Sequence, residues 1–189
     1  DIQHEFLPML GELMHGEVKI EAGFQYQTCL MRPRSTGEVT LSSADPTANP
    51  RIVTNFLKHP DDKRDLANAV RHTDDIAHQK AWDSMRGEAV VPGLRTMAES
   101  DLQEWMNAHI GTQYHPCSTC KMGQGDDAVV DVDGRVHETE GLRVIDASIF
   151  PAITSGNLHA PTMMVAEKLS DRLLGKTPLR SEERRVGKE

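Results

Sequence analysis

The sequence predicts a mixed α and β fold, and three features carry that prediction. Short runs of aromatic and β-branched residues, separated by turn residues, fill the stretch from Phe24 to Phe56. After Pro60 the apolar spacing changes to threes and fours, the mark of a helix buried on one face. From Ala128 a valine-rich stretch leads through a hairpin and a short apolar run into a last helix-like segment, NLHAPTMMVAEKLSDRLLG.

Each element has a local reason. GFQYQTCLMRP and GEVTLSS read as strands, while RPRSTG and SADPTANP supply the Pro, Asn, Asp and Gly that tight turns require. DDKRDLANAVRHTDDIAHQ puts Leu66, Ala69, Val70, Ile76 and Ala77 at helical spacing, and Asp61 and Asp62 stand where a helix N-terminus favours carboxylates. A second helix is expected from Ser100, with Gln103 at capping-box spacing and Leu102, Trp105, Met106 and Ile110 as its apolar side. AVVDVDGRVHE predicts a hairpin turning at Asp133 and Gly134, GLRVIDAS a short buried strand, and the final segment a helix closed by Gly175. The chain has no internal repeat and no low-complexity linker.

Composition narrows the function. At 189 residues the chain can hold one full core or parts of two domains. A net charge of -8 argues against a partner bound through its phosphate backbone, so no nucleic-acid role is expected. No run of eighteen apolar residues occurs, so no transmembrane helix is expected. Three cysteines, Cys29, Cys117 and Cys120, are an odd and low number, the usage of a reducing compartment. The opening DIQHEFLPML reads as an internal start, which leaves any targeting signal unreadable. Residues 180–189, RSEERRVGKE, are polar except for one valine and resemble a sequencing adapter read in frame; they are expected to be a non-native tail.

Two stretches carry candidate chemistry. In YHPCSTCKMG, Cys117 and Cys120 have the spacing of half a zinc site, with His115 as a third donor, but no second pair of ligands follows in the sequence. A thioredoxin-like pair would lead into a helix, whereas Lys121, Met122, Gly123 and Gly125 lead into a loop. Packed thiols are therefore expected. His115, held extended by Pro116, fits either a base or a hydrogen-bonded core residue. In VIDASIFPAITSGNLHAPT, a strand ending at Asp146 delivers a loop, and Asn157 and His159 fall just before a helix with unpaired amides. That arrangement suits a ligand loop or, with Asn157 as the cap, an ordinary helix start.

YHPCSTCKMG, AVVDVDGRVHETEGLRVIDASIFP and SGNLHAPTMMVAEKLSDRLLGKTPL, in that order, resemble the C-terminal part of the glucose-methanol-choline (GMC) oxidoreductases, flavoproteins that oxidise alcohols. HEFLPML and RPRSTGEVTLSSADPTANPRIVTNFLKHPDD are similar to the choline-oxidising branch. The resemblance spans Asp1 to about Leu179. It implies the C-terminal part of a two-domain, FAD-dependent enzyme: an antiparallel substrate-domain sheet with helices, plus the last strand and helix of the FAD domain. Residues 1–127 would belong to the substrate-binding region, and 128–179 would supply the hairpin, strand, active-site loop and helix that pack on the FAD domain.

By the same resemblance His115 is the catalytic base and Asn157 its catalytic partner. Asp146, Ala147, Asn157 and His159 would face the cofactor, and Tyr114 would wall the substrate. The family's choline branch commonly reads GNLNA where this chain reads GNLHA, which opens a share of the chemistry to His159. The implied substrate is a primary alcohol, choline above all, oxidised to betaine aldehyde. A metal is not implied. The implied electron acceptor lies in the respiratory chain, which suggests a cytoplasmic protein peripheral at the inner membrane. An oxidase of the family, or a dehydrogenase of another alcohol, would carry the same residues; a zinc-binding module built on Cys117 and Cys120 is the reading from another class. The G-x-G-x-x-G fingerprint of a dinucleotide fold is absent here, so the chain is expected to need a separate N-terminal FAD-binding part and not to retain flavin unaided.

Overall fold

The computed structural model describes residues 1–14, 17–91 and 93–176. The expected tail at 180–189 lies outside the described residues. The chain divides into two compact units, Asp1–Gln113 and Tyr114–Glu189.

In the first unit, β1 (Ile2–Leu7) pairs antiparallel with β4 (Gln25–Leu30), in a register running from Ile2 opposite Leu30 to Leu7 opposite Gln25. Between them, β2 (Leu10–Met14) and β3 (Glu17–Glu21) form a second antiparallel pair. A two-stranded ribbon follows, β5 (Glu38–Thr40) with β6 (Arg51–Val53). Helix α1 (Pro60–Ala77) lies against β4, and a 3-10 turn (Lys80–Trp82) leads on to α2 (Glu99–His109). The core is Leu57, Leu66, Ala67, Leu102 and Met106, with Leu30, Val70, Trp105 and Ile110 packed against it. Of the apolar side expected for α1, Leu66 and Val70 reach this core and Ala69, Ile76 and Ala77 do not, whereas all four residues expected for α2 do. Phe6, Phe24, Tyr26 and Trp82 form a separate ring cluster, Trp82 stacking on both phenylalanines.

Helix α1 begins as its sequence suggests, with Pro60 in the first turn and the His59 Nδ1 accepting from the Asp61 amide at 3.2 Å. Asp62, however, turns inward and is buried. It accepts from the Arg34 amide at 2.9 Å, the Ser35 amide at 2.7 Å and the Ser35 hydroxyl at 2.6 Å, tying the preceding loop to the helix. Burial alone would raise its carboxyl, but the hydrogen bonds from Ser35 and Arg34 outweigh burial and leave it below the ordinary carboxylate range.

A second polar knot joins strand to helix. Thr73 Oγ1 donates to the Ala69 carbonyl at 2.8 Å, and a hydroxyl has one proton to give. The same oxygen therefore accepts from Thr28 Oγ1 at 2.7 Å and from His4 Nδ1 at 2.9 Å, which places the ring proton of His4 on Nδ1. Burial, and after it His72 with its ring 5.7 Å away, holds the His4 imidazole below its ordinary pKa.

Helix α2 departs from the expected capping box. It starts at Glu99, its N-cap is Ala98 with no side-chain cap, and Ser100 is already helical. The Ser100 hydroxyl donates to Asp101 Oδ1 and Gln103 Nε2 donates to Glu99 Oε1, so neither reaches the backbone amides a capping box would satisfy.

In the second unit the regular element is α3 (His159–Leu173). The expected hairpin and strand form antiparallel pairings of one residue each, Val130 with Val136 and Arg135 with Arg143. The turn between them is tight: Gly134 donates to Asp131 O at 3.0 Å, and Asp131 Oδ1 accepts from the Asp133 and Arg135 amides. With the Asp131 carboxylate bound to the turn, little chain remains to extend a ladder. Val130, Ile149 and Leu169 form this unit's core, with Met122, Val136, Val144, Ile145 and Val165 around them. Gly175, in the left-handed region at φ 65°, closes α3 as expected; its amide bonds Arg172 O and that of Lys176 bonds Asp171 O, the paired bonds of a Schellman ending.

Candidate active site in the second unit

Two segments distant in sequence are stitched together here. The Cys120 amide donates to Ser148 O and the Met122 amide to Ile149 O, both at 2.9 Å. These bonds lay the end of the YHPCSTCKMG stretch beside the 3-10 turn Ala147–Ile149. Asp146 starts that turn by accepting from the Ser148 amide at 2.8 Å, so its carboxylate shapes the backbone. The chain then runs through Phe150, buried, and the loop to Asn157.

Leu158, also buried, is the N-cap residue of α3 and anchors the loop's end. Its carbonyl accepts twice from Thr162, from the amide at 2.9 Å and from Oγ1 at 2.6 Å. Asn157, one residue earlier, is thereby held at the mouth of the helix.

At the other segment, Tyr114 adopts φ 59° and Ser118 φ 69°, left-handed conformations that side-chain-bearing residues rarely take. They bracket His115 and Pro116. The outcome is a single direct contact: Asn157 Nδ2 lies 2.9 Å from His115 Nε2. An amide NH2 can only donate, so Nε2 accepts and the ring proton sits on Nδ1. An Nε2 that accepts is the atom through which a histidine can take up a proton as a general base.

Of the residues singled out from sequence, the structure thus joins His115 to Asn157. The amide of Asn157 goes to the histidine, and the cap position belongs to Leu158. His159 opens α3 with its side chain exposed and, among the described residues, without a hydrogen bond. Tyr114 is 80% exposed. Cys117 and Cys120 are half-buried free thiols, and among the described residues no three His, Cys, Asp or Glu side chains converge as metal donors. Sequence reasoning missed Thr162 and Ser118. The spacing of a threonine four residues after the cap could have disclosed the first; a left-handed serine leaves no mark in composition.

The family model described as GMC oxidoreductase, C-terminal part, matches residues 33–166, a span that includes every residue of this site. The chain belongs to the GMC oxidoreductase family. It is 44% identical over 179 residues to the oxygen-dependent choline dehydrogenase of Klebsiella pneumoniae subsp. pneumoniae, covering 95% of this chain and 32% of that protein. To the protein of the same description from Chromohalobacter salexigens it is 43% identical over 180 residues, with 95% and 32% covered. Among solved GMC-like structures it is similar to pyridoxine 4-oxidase from Mesorbium loti, with a TM-score of 0.76 and 26% identity over 83% of this chain and 31% of that one. An Aspergillus oryzae RIB40 formate oxidase variant gives a TM-score of 0.76 and 27% identity, covering 80% of this chain and 27% of that one. The chain therefore spans about a third of the length of the curated relatives it matches, 32% in both.

Proposed function

We propose that this chain is the base-bearing part of a longer FAD-dependent alcohol dehydrogenase, with choline as substrate and betaine aldehyde as product. The observation that carries the reading is the 2.9 Å contact between Asn157 Nδ2 and His115 Nε2 in a GMC-family segment. The choline-dehydrogenase description of relatives 43–44% identical favours choline over other alcohols.

The chemistry follows from hydrogen-bond balance. An alcohol hydroxyl both donates and accepts, so it can enter between Asn157 and His115 without leaving either group unpaired. Its proton then passes to His115 Nε2, and the oxygen, gaining negative charge, accepts from the Asn157 amide. Asn157 stabilises charge as it forms, which lowers the barrier without tightening ground-state binding. Tyr114 offers an exposed aromatic face to a quaternary ammonium.

The residues present fit a flavin. Helix α3 starts without a side-chain cap, leaving its first amides as donors for the electron-rich edge of a ring system, beside Asn157 and His159 and in the same unit as the turn at Asp146 and Ala147. When bound, the flavin supplies the two-electron acceptor for the carbinol hydrogen. The dinucleotide cradle is assigned to the part of the longer polypeptide outside these residues; residues 1–127 then belong to its substrate-binding region and 128–179 pack on its FAD domain. Among the described residues no helix is long and apolar enough to cross a membrane. Electron delivery to a respiratory-chain acceptor from a peripheral position at the inner membrane is part of the proposal. That those relatives are described as oxygen-dependent favours molecular oxygen as a second reading of the acceptor.

The test is stopped-flow reduction of the flavin by choline in the full-length polypeptide, wild type against His115→Ala. Reduction slowed by at least about a hundredfold supports the base; unchanged reduction removes His115 from the mechanism. Reduction by another alcohol but not by choline keeps the family chemistry and rejects the substrate.

A further inference from the structure

The ribbon β5–β6 is built to be covered. Val39 stands directly opposite Ile52, so their side chains share one face, and Leu41, two residues after Val39, extends it. All three aliphatic side chains are open to solvent in this unit: Val39 is 50%, Ile52 65% and Leu41 89% exposed. The strands are three residues each, and among the described residues the sheet contains no third strand and neither strand packs substantially on another helix or strand. An isolated two-stranded hairpin of this size is marginal in water, and it gains stability when its apolar face is buried.

Yet the ribbon is fastened at both ends as a preformed piece. At its root Asn55 Nδ2 donates to Thr36 O at 3.0 Å, and a Cβ on Gly37 would collide with the Val53 carbonyl oxygen. At its tip Ser42 Oγ donates to Asn49 O at 2.6 Å, and Asp45 accepts from the amide and hydroxyl of Thr47 at 2.9 and 2.8 Å. Those two bonds hold the Asp45 carboxyl below its ordinary range. A shape so fixed, with its aliphatic face outward, is a docking surface.

The geometry points to one occupant: the remaining polypeptide of the longer enzyme, packed on Val39, Leu41 and Ile52 within the same chain. This rests on the proposal above that the segment works inside a longer polypeptide, as the 32% coverage of its relatives indicates. The ribbon also lies within the 33–166 family match, so it belongs to the family's own architecture. Size decides against a second copy. A stable interface between separate molecules needs about 20–30 residues a side, and six strand residues fall far short. A contact inside one chain does not lose translational freedom again, so a small aliphatic patch suffices. The aliphatic, uncharged face suits a permanent contact better than a transient one.

The test uses the full-length polypeptide with Ile52→Cys and, separately, Leu41→Cys, labelled with a maleimide; the parental protein gives the background from its own thiols. Docking predicts labelling at least about a hundredfold slower in native protein than in the same variant unfolded in urea, at every protein concentration. Native labelling within about threefold of the unfolded rate at both positions overturns the proposal. Protection that appears only as concentration rises assigns the face to a second copy and overturns it equally. Labelling is read without turnover, so loss of the choline reading would leave this result standing, and the reverse.

Discussion

Asn157 Nδ2 and His115 Nε2 meet at 2.9 Å across 42 positions of sequence, and that contact makes Nε2 the accepting nitrogen of the histidine. The two residues then have separable roles. In the full-length enzyme, Asn157→Ala should slow flavin reduction about 10²–10³-fold, the usual loss for one donor to a developing oxyanion. The apparent affinity for choline should change far less, because the lost interaction is made in the transition state. A variant that weakens choline binding and leaves the reduction rate intact would instead make Asn157 a binding residue.

The first unit should lose stability in two acid steps. His4 is held below its ordinary value, so the unfolded chain takes up that proton first, and stability present above about pH 6.5 is lost as pH falls through the lower folded value. Asp62 is likewise depressed, so its contribution is present above about pH 3.9 and lost below it. Urea melts across pH 3–8 should show both; His4→Gln should remove the first step. Asp62→Ala orphans three donors from Arg34 and Ser35 and should destabilise by on the order of 3 kcal/mol at pH 7. An Asp62→Ala protein as stable as wild type would reduce this carboxylate to a surface charge.

Much of this was legible in the residues, and the parts that were not share a physical cause. Periodicity disclosed α1 and α2 because Leu66, Leu102 and Met106 must face a core. The ending of α3 was legible because Gly175 alone suits a left-handed closing position without strain. The strand reading around Val130 exceeded what formed, since valine favours extended chain but the Asp131 turn leaves room for single bridges. The capping box at Ser100 failed because a serine, one residue into a helix, can bond Asp101 as readily as the backbone. The partnership of His115 with Asn157 was invisible to local pattern: it depends on the Cys120–Ser148 and Met122–Ile149 bonds, which are tertiary.

Two left-handed residues of the second unit should respond in opposite directions. Gly134 is buried at φ 73°, and a Cβ there would sit 2.7 Å from the Val144 carbonyl oxygen. Gly134→Ala should destabilise by about 2 kcal/mol or more, combining left-handed strain with the collision. Ser118 carries the same strain already, and Ser118→Gly should stabilise by about 0.5–1 kcal/mol, the relief being offset in part by the freer unfolded chain. Thermal melts of the full-length variants check the signs; two shifts of the same sign would contradict the backbone account.

The cysteines beside His115, the proposed base, give the last test, because they separate an enzyme site from a metal module. Cys117 and Cys120 are free, half-buried, and joined among the described residues by no third donor cluster. The Ser118 hydroxyl donates to Cys117 Sγ at 3.4 Å, a weak bond a hydroxyl in place of the thiol can replace. Cys117→Ser and Cys120→Ser should therefore each cost no more than about 1–2 kcal/mol, in the range of ordinary point substitutions, and should leave flavin reduction by choline within about threefold of wild type. Chelation should not move the melting temperature. A structural zinc contributes folding free energy outright, so its removal would shift the melt by many degrees. Stoichiometric zinc in the purified protein, lost together with stability on Cys120→Ser, would transfer the stretch from catalysis to metal binding and leave His115 as a ligand. Retained stability with retained turnover leaves the thiols as packing and rejects the metal module.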